Sequence, residues 1–230
     1  MLTFEPTEIL ARRMARLNAA NVRFDIGAGG GVPALTAQDI AAALGMVPAG
    51  LGLELLLAVN WPDAAKRNRK RLLELLTVVQ LREHNDREQG MFRALCQVAT
   101  AEPRDKQRAT AAYSAAHMAR WPQIVVKNEP LTFAGPYEAI RLAVIEELVH
   151  PRQCPECRGR ELRDRVGQPK TCDRCLGSGV VQYGSTWRAK RLGKTRATFI
   201  QSWKPAYDWL MDVCRAHLAE AESELFRRLR

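Results

Sequence analysis

Four of the six cysteines in this 230-residue chain fall in one short stretch, CPECRGRELRDRVGQPKTCDRCLGSG. They form two C-x-x-C pairs, Cys154/Cys157 and Cys172/Cys175, followed by Gly159 and by Gly177 and Gly179. A C-x-x-C turn aims two sulfurs at one point, and a following Gly with positive φ lets backbone N–H groups turn toward them. Two such knuckles supply four thiolates, the tetrahedral set of a closed structural zinc site. With no open position for water, the expected cofactor is one structural Zn²⁺ and no catalytic metal. Cys96 and Cys214 stand singly among apolar residues and read as buried small hydrophobes.

The net charge is +10, which favours polyanionic partners. It is unevenly spread: residues 151 to 204 hold thirteen Lys/Arg against four Asp/Glu. From Ser185 to Lys204 there are six basic residues and no acid. The start, MLTFEPTEILARRMARLNAA, has arginines where a signal peptide has its apolar run. The longest apolar run, LGLELLLAVNWP, is too short to span a bilayer and contains Glu54. A cytoplasmic protein with no membrane partner is expected, and there paired C-x-x-C motifs mean metal rather than disulfide.

The elements that must position this site read as helices. Residues 4 to 22 predict an amphipathic helix, and 25 to 33 (DIGAGGGVP) a Gly-rich linker. The glycines there do not make a dinucleotide site: no β-branched strand precedes them, and Pro33 stands where a helix would open. Thr36 and Asp39 form a capping-box-like start to a helix ending near Gly45. Further helices are expected at 51–60, 63–84, 87–100, 104–120 and, behind Pro136, 137–150. The basic run KRNRKR, residues 66 to 71, has two readings, a solvated helix face or a contact with nucleic-acid backbone. Three regions follow: 1–60, an N-terminal arm with helices; 61–130, helical; and 131–230, with the metal module 154–179 inserted ahead of helices spanning 185–225. The fold class is all-α, mainly helical, with a small embedded four-cysteine zinc-finger β-hairpin and a helix-turn-helix-like DNA-binding region.

That last region, STWRAKRLGKTRATFIQSWKPAYDWLMDVC, has a recognisable grammar. Ser185 is placed to cap a first helix, Gly193 to end it in a left-handed turn, and Thr195 or Thr198 to cap a second. On the second helix Phe199, Ile200, Trp203, Tyr207, Leu210 and Cys214 share one stripe and should face the core, while Pro205 should kink or split it. The expected DNA-contacting set is Arg188, Lys190, Arg191, Lys194, Thr195, Arg196, Thr198, Gln201, Ser202 and Lys204. The competing reading is two packing helices with a basic outer face.

These residues resemble a family. The chain is similar to the late-gene antitermination proteins Q of lambdoid bacteriophages, in the type that carries a zinc finger in its DNA-binding region. The resemblance rests on the C-x-x-C-x-G knuckle at 154–159, the C-x-x-C-x-G-x-G knuckle at 172–179, and SWKPAYDWLMDVC with its K-P-x-Y-D element. A looser match is LTAQDIAAALGMVPAGLGLELLLA, residues 35 to 58. The first knuckle departs from the pattern, having Arg160 and Glu161 where the family has a second Gly. The loop between the knuckles is also short. The resemblance implies a factor that binds double-stranded promoter DNA and engages the paused host RNA polymerase through its flap and σ. It would then travel at the RNA exit channel near nascent RNA and let the enzyme read through terminators to express late genes. It also implies zinc on the four cysteines, DNA reading by the helix near Thr195 to Lys204, polymerase contact by the first 60 residues, and RNA contact by KRNRKR.

Three other readings compete. A J-type chaperone zinc module has four knuckles and an H-P-D tripeptide; this chain has two knuckles and no H-P-D. A nuclease or recombinase needs clustered carboxylates or an activated nucleophile. Here the acids are dispersed, the histidines (His84, His117, His150, His217) isolated, and Tyr207 lies on the apolar stripe. No enzyme is expected. A zinc-containing DNA-binding regulator acting only at initiation shares the same DNA-binding end and stays open.

Overall fold

The computed structural model describes residues 37–61, 68–122, 135–165 and 168–229. The expected helix at 4–22, the linker at 25–33, Thr36, the first residues (63–67) of the helix expected at 63–84, with Lys66 and Arg67, and residues 123–134 lie outside these. The chain is mostly helical, with small antiparallel strand pairs. No helix among the described residues is long and apolar enough to cross a membrane.

The helices are α1 (Ala37–Met46), α2 (Leu51–Asn60), α3 (Arg69–Thr100), α4 (Lys106–Met118), α5 (Pro136–Val149), α6 (Ser185–Arg191), α7 (Arg196–Thr198) and α8 (Lys204–Arg228). A π-helical turn, Phe199–Trp203, joins α7 to α8. Between α5 and α6 lie β1 (Arg152–Gln153), β2 (Leu162–Arg165), β3 (Gln168–Thr171) and β4 (Val180–Val181). β2 and β3 form a hairpin, and β1 pairs antiparallel with β4. The metal module is therefore a ribbon paired at its base by β1 and β4 and farther out by β2 and β3.

The described residues fall into two compact units, one of those up to Leu72 together with Asp212 onward, the other from Leu73 to Met211. In the first, Ala43, Val47, Leu56, Ala221 and Leu225 form a core flanked by Leu44, Leu53, Trp61, Leu218 and Leu229. Gly52 permits a close approach there, since a Cβ on it would lie 2.7 Å from the His217 carbonyl oxygen. Buried Glu54 is paired with Arg71 at 3.2 Å.

The second unit is built on aromatic packing. The Tyr137 ring meets Trp203 edge-on at 5.3 Å and Trp121 at 6.2 Å, and Trp121 meets Trp209 at 5.1 Å. Tyr137 also donates its hydroxyl to the Pro122 carbonyl at 2.6 Å. α4 buries no residue of its own and is pinned to α3 by polar clasps. Arg120 grips Glu88 bidentately at 2.5 and 2.7 Å, and Arg87 donates to the Ala119 carbonyl.

Several expectations are corrected. α3 runs unbroken where two helices were expected at 63–84 and 87–100, because no Pro or Gly interrupts 84–87 and Glu83 and Arg87 form an i,i+4 pair at 2.7 Å across the expected break. Cys96 lies on the outer side of α3 and is exposed, not buried; Cys214 is buried as expected. Gly184, not Ser185, caps α6, and Ser185 is its first helical residue. Ile200 is exposed, while Phe199, Trp203, Tyr207, Leu210 and Cys214 are buried. The π turn explains it: the wider turn rotates Ile200 off a stripe drawn at 3.6 residues per turn. The same turn accommodates Pro205, and the chain continues helically from Arg196 to Arg228.

Candidate metal centre and the adjoining helix pair

Each knuckle is a tight turn made by backbone in the left-handed region. In the first, Arg158, Gly159 and Glu161 have φ of 53°, 78° and 66°; in the second, Leu176, Gly177 and Gly179 have 52°, 86° and 70°. The two triplets are equivalent positions of a pseudo-twofold module. The Arg160 amide donates to the Cys157 carbonyl at 3.0 Å, and the Ser178 amide to the Cys175 carbonyl at 3.0 Å. The knuckles also bond to one another reciprocally: the Cys154 amide donates to Gly179 O at 2.8 Å, and the Cys172 amide to Glu161 O at 2.9 Å. Glu161 thus takes the backbone role that a glycine fills in the second knuckle.

The four sulfurs face one point. Cys154 and Cys172 Sγ are 3.9 Å apart, Cys157 and Cys175 Sγ 3.6 Å, and all four lie within 4.8 Å of one another. Sulfurs on a tetrahedral metal with bonds of about 2.3 Å would be about 3.8 Å apart. A disulfide needs about 2.05 Å. The arrangement therefore fits one bound metal ion. Backbone N–H groups complete the sulfur environment: those of Glu161 and Gly159 serve Cys157, and those of Gly179 and Gly177 serve Cys175. The Cys157 amide, with that of Glu156, holds the Cys154 thiol down at about 7 against its burial. Burial works against ionisation of Cys175, but its amide donors prevail and lower it. Cys157, where burial dominates, is pushed up to about 11. Cys214 has burial alone and is pushed up to about 12, an inert thiol.

Beyond the module, α6 ends in a Schellman turn. Gly193 has φ 63°, the Lys194 amide donates to Ala189 O at 2.9 Å, and the Gly193 amide to Lys190 O at 3.1 Å. Thr195 then caps α7, its Oγ1 accepting from the Thr198 amide at 3.2 Å. Both follow the sequence expectation.

A carboxylate that the sequence reasoning missed ties this pair to α5, the helix that leads into the module. Glu147, on α5, is buried and accepts from Arg188 Nε at 3.0 Å and an Arg188 terminal nitrogen at 2.7 Å. It also accepts from the Tyr207 hydroxyl at 2.8 Å and the Tyr183 backbone amide at 3.3 Å. Asp208 takes the other terminal nitrogen of Arg188 at 3.2 Å and pairs with Lys204. Burial works against the Arg188 charge, and the hydrogen bonds and Coulombic pull of Glu147 more than reverse it. Burial and the neighbouring carboxylate together drive Tyr207 far above its ordinary pKa, so its hydroxyl stays a donor. The K-P-x-Y-D element is accounted for physically: Lys204 and Asp208 pair, Pro205 follows the π turn, and Tyr207 bonds Glu147. One signal in the sequence pointed to Glu147. It shares the spacing of Ile140 and Val144 on the apolar face of α5, and a Glu on such a face demands a buried cation.

This network divides the ten residues expected to contact DNA. Arg188 is only 6% exposed and spent on Glu147, so it is a structural cation rather than a surface contact. Arg191 pairs with Glu146 and lies over the Trp187 ring at 5.2 Å, and Lys204 is held by Asp208. Lys194 is half-buried, 6.0 Å from the Trp203 ring centroid. Lys190, Thr195, Arg196, Thr198, Gln201 and Ser202 are exposed around the start of the second helix. The acid-free run Ser185–Lys204 is thus partly neutralised in space by Glu146, Glu147 and Asp208. No family model, curated protein or solved structure matches this chain.

Proposed function

We propose that this chain is a phage-type transcription antitermination factor: it binds double-stranded promoter DNA, loads onto paused RNA polymerase and carries it through terminators. The observation that supports it most is buried Glu147, which joins α5, ahead of the four-cysteine module, to a Schellman-terminated helix and to Tyr207 beyond the Thr195-capped turn. We read this as a helix-turn-helix arrangement that follows a metal module in the chain. The metal is Zn²⁺, which the all-thiolate tetrahedral set favours. Arg196 and Gln201, exposed near the N-terminal end of the second helix, are the residues suited to base edges, Arg to guanine and Gln to adenine. Lys190, Thr195, Thr198 and Ser202 are suited to phosphate oxygens around them. The link to polymerase comes from the resemblance of the knuckles and of SWKPAYDWLMDVC to the Q antiterminators.

The test is run-off transcription by host holoenzyme, on a template with the late promoter ahead of an intrinsic terminator. Read-through that requires both the protein and the promoter element is the expected result. Specific promoter binding with termination unchanged would assign the protein instead to regulation at initiation.

A further inference from the structure

The π turn Phe199–Trp203 leaves one apolar side chain in water where a regular helix would have buried it. The bond that defines the turn spans five residues: the Lys204 amide donates to the Phe199 carbonyl. Phe199 and Trp203 stay in the core, but Ile200 between them is 43% exposed. Single π turns of this kind occur often at functional sites. This one lies just behind the Thr195 cap. Arg196 and Ala197 are exposed on the first turn after the cap, and Ile200 and Gln201 on the next. Residues four apart are neighbours on a helix surface, so Ile200 adjoins Arg196. Thr198 and Ser202 are exposed as well.

What surrounds Ile200 says what it can meet. Its exposed neighbours in sequence are Arg196, Ala197, Thr198, Gln201 and Ser202, so the apolar spot is one large side chain wide. A protein partner needs an apolar centre of several side chains. One isoleucine instead matches one methyl group. Among the base edges of the major groove the apolar feature is the C5-methyl of thymine. It stands in the same groove that offers guanine to an Arg and adenine to a Gln, the pairings suited to Arg196 and Gln201. A β-branched side chain fits this use, because its χ1 is already restricted and little freedom is lost on contact. We propose that Ile200 is a specificity-determining residue that packs on the C5-methyl of a thymine, in or beside the base pairs met by Arg196 and Gln201. The inference rests on the DNA reading above. It adds a demand for thymine that hydrogen bonds do not impose.

Duplex DNA selected by the zinc-loaded full chain from a randomised pool is the probe. Each thymine of the selected site is replaced singly by uracil, which removes the methyl and keeps the base pairing. Dissociation constants are then measured at one fixed salt concentration for the wild type, Ile200→Ala and Ile200→Val. At one thymine, loss of the methyl should weaken wild-type binding about fourfold, as for one methyl-sized group returned to water. Ile200→Ala should bind the thymine and uracil duplexes equally at that position, and Ile200→Val should fall between. A side chain that only supported the helix would weaken both duplexes alike and leave their ratio as in the wild type. Selection of specific DNA with no thymine methyl that matters, or methyl effects that Ile200→Ala leaves unchanged at every thymine, would overturn this inference and leave the DNA reading standing. A wild type that enriches no sequence from the pool would overturn both.

Discussion

The metal module and the helix pair after it are neighbours in sequence, yet different forces hold them. Among its described residues the module has almost no apolar core. The four cysteines are its buried centre, and Val181 is the hydrophobic residue that packs on them. The helix pair is anchored by aromatic packing, Phe199 on Tyr207 at 5.7 Å and Tyr137 on Trp203 at 5.3 Å, and by the carboxylate of Glu147. One region should therefore fold with its metal and the other without it. Their junction at Tyr183, whose amide bonds Glu147 and whose hydroxyl bonds the His150 carbonyl, lets the two lock together once both have formed.

The largest expected effect breaks this pairing from the metal side. Cys172→Ser, or removal by a chelator of the metal, zinc in our proposal, withdraws a binding energy of roughly 10 kcal/mol or more from a module that has little else. Zinc content should fall to zero and the signals of β1–β4 should be lost by NMR. Far-UV circular dichroism should keep its helical signal. Loss of the helical signal along with the metal would mean that the two regions are a single folding unit.

Glu147→Ala attacks from the other side. It leaves Arg188 buried without its main partner and Tyr207 without its acceptor, at a cost of about 3–5 kcal/mol. Thermal unfolding of the helices should drop steeply while zinc stoichiometry stays at one per chain. Loss of zinc in this variant would show that the carboxylate also supports the knuckles, which are then less autonomous than their backbone bonding implies.

What could be read from the sequence follows the same division. The module is local: ligands, glycines and turns sit within a few residues of one another, so spacing predicts them. The Gly193 turn and the Thr195 cap are local too. Glu147 and Arg188 are 41 positions apart, and no period links them. The run Ser185–Lys204 therefore read as wholly available positive charge, whereas acids from α5 and from Asp208 claim three of its six cations. Ile200 was misplaced for a different reason. A stripe drawn at 3.6 residues per turn assumes a regular helix, and the π turn beside Pro205 is not one.

A smaller effect sharpens the comparison within the module. Gly179 has φ of 70°, and a Cβ there would lie 3.0 Å from Gly159 O and 3.3 Å from Glu161 Cγ. Gly179→Ala should weaken the module by roughly 2 kcal/mol, about thirtyfold in zinc affinity, read by competition with a chromogenic chelator.

The smallest predicted change runs the other way. Glu161 is the twofold equivalent of Gly179, with φ of 66°, but it carries a side chain in a conformation that costs an L-residue about 1 kcal/mol or more. Its carbonyl accepts from the Cys172 amide and its amide serves Cys157, so the backbone at this position is indispensable whatever side chain it bears. Glu161→Gly keeps those bonds and relieves the strain, while the freer unfolded chain takes back part of the gain. A net gain of roughly 0.5 kcal/mol is expected, about twofold in zinc affinity in the same competition. A loss would mean that the Glu161 side chain makes an interaction worth more than its strain. The two knuckles would then be alike in backbone and different in what they hold.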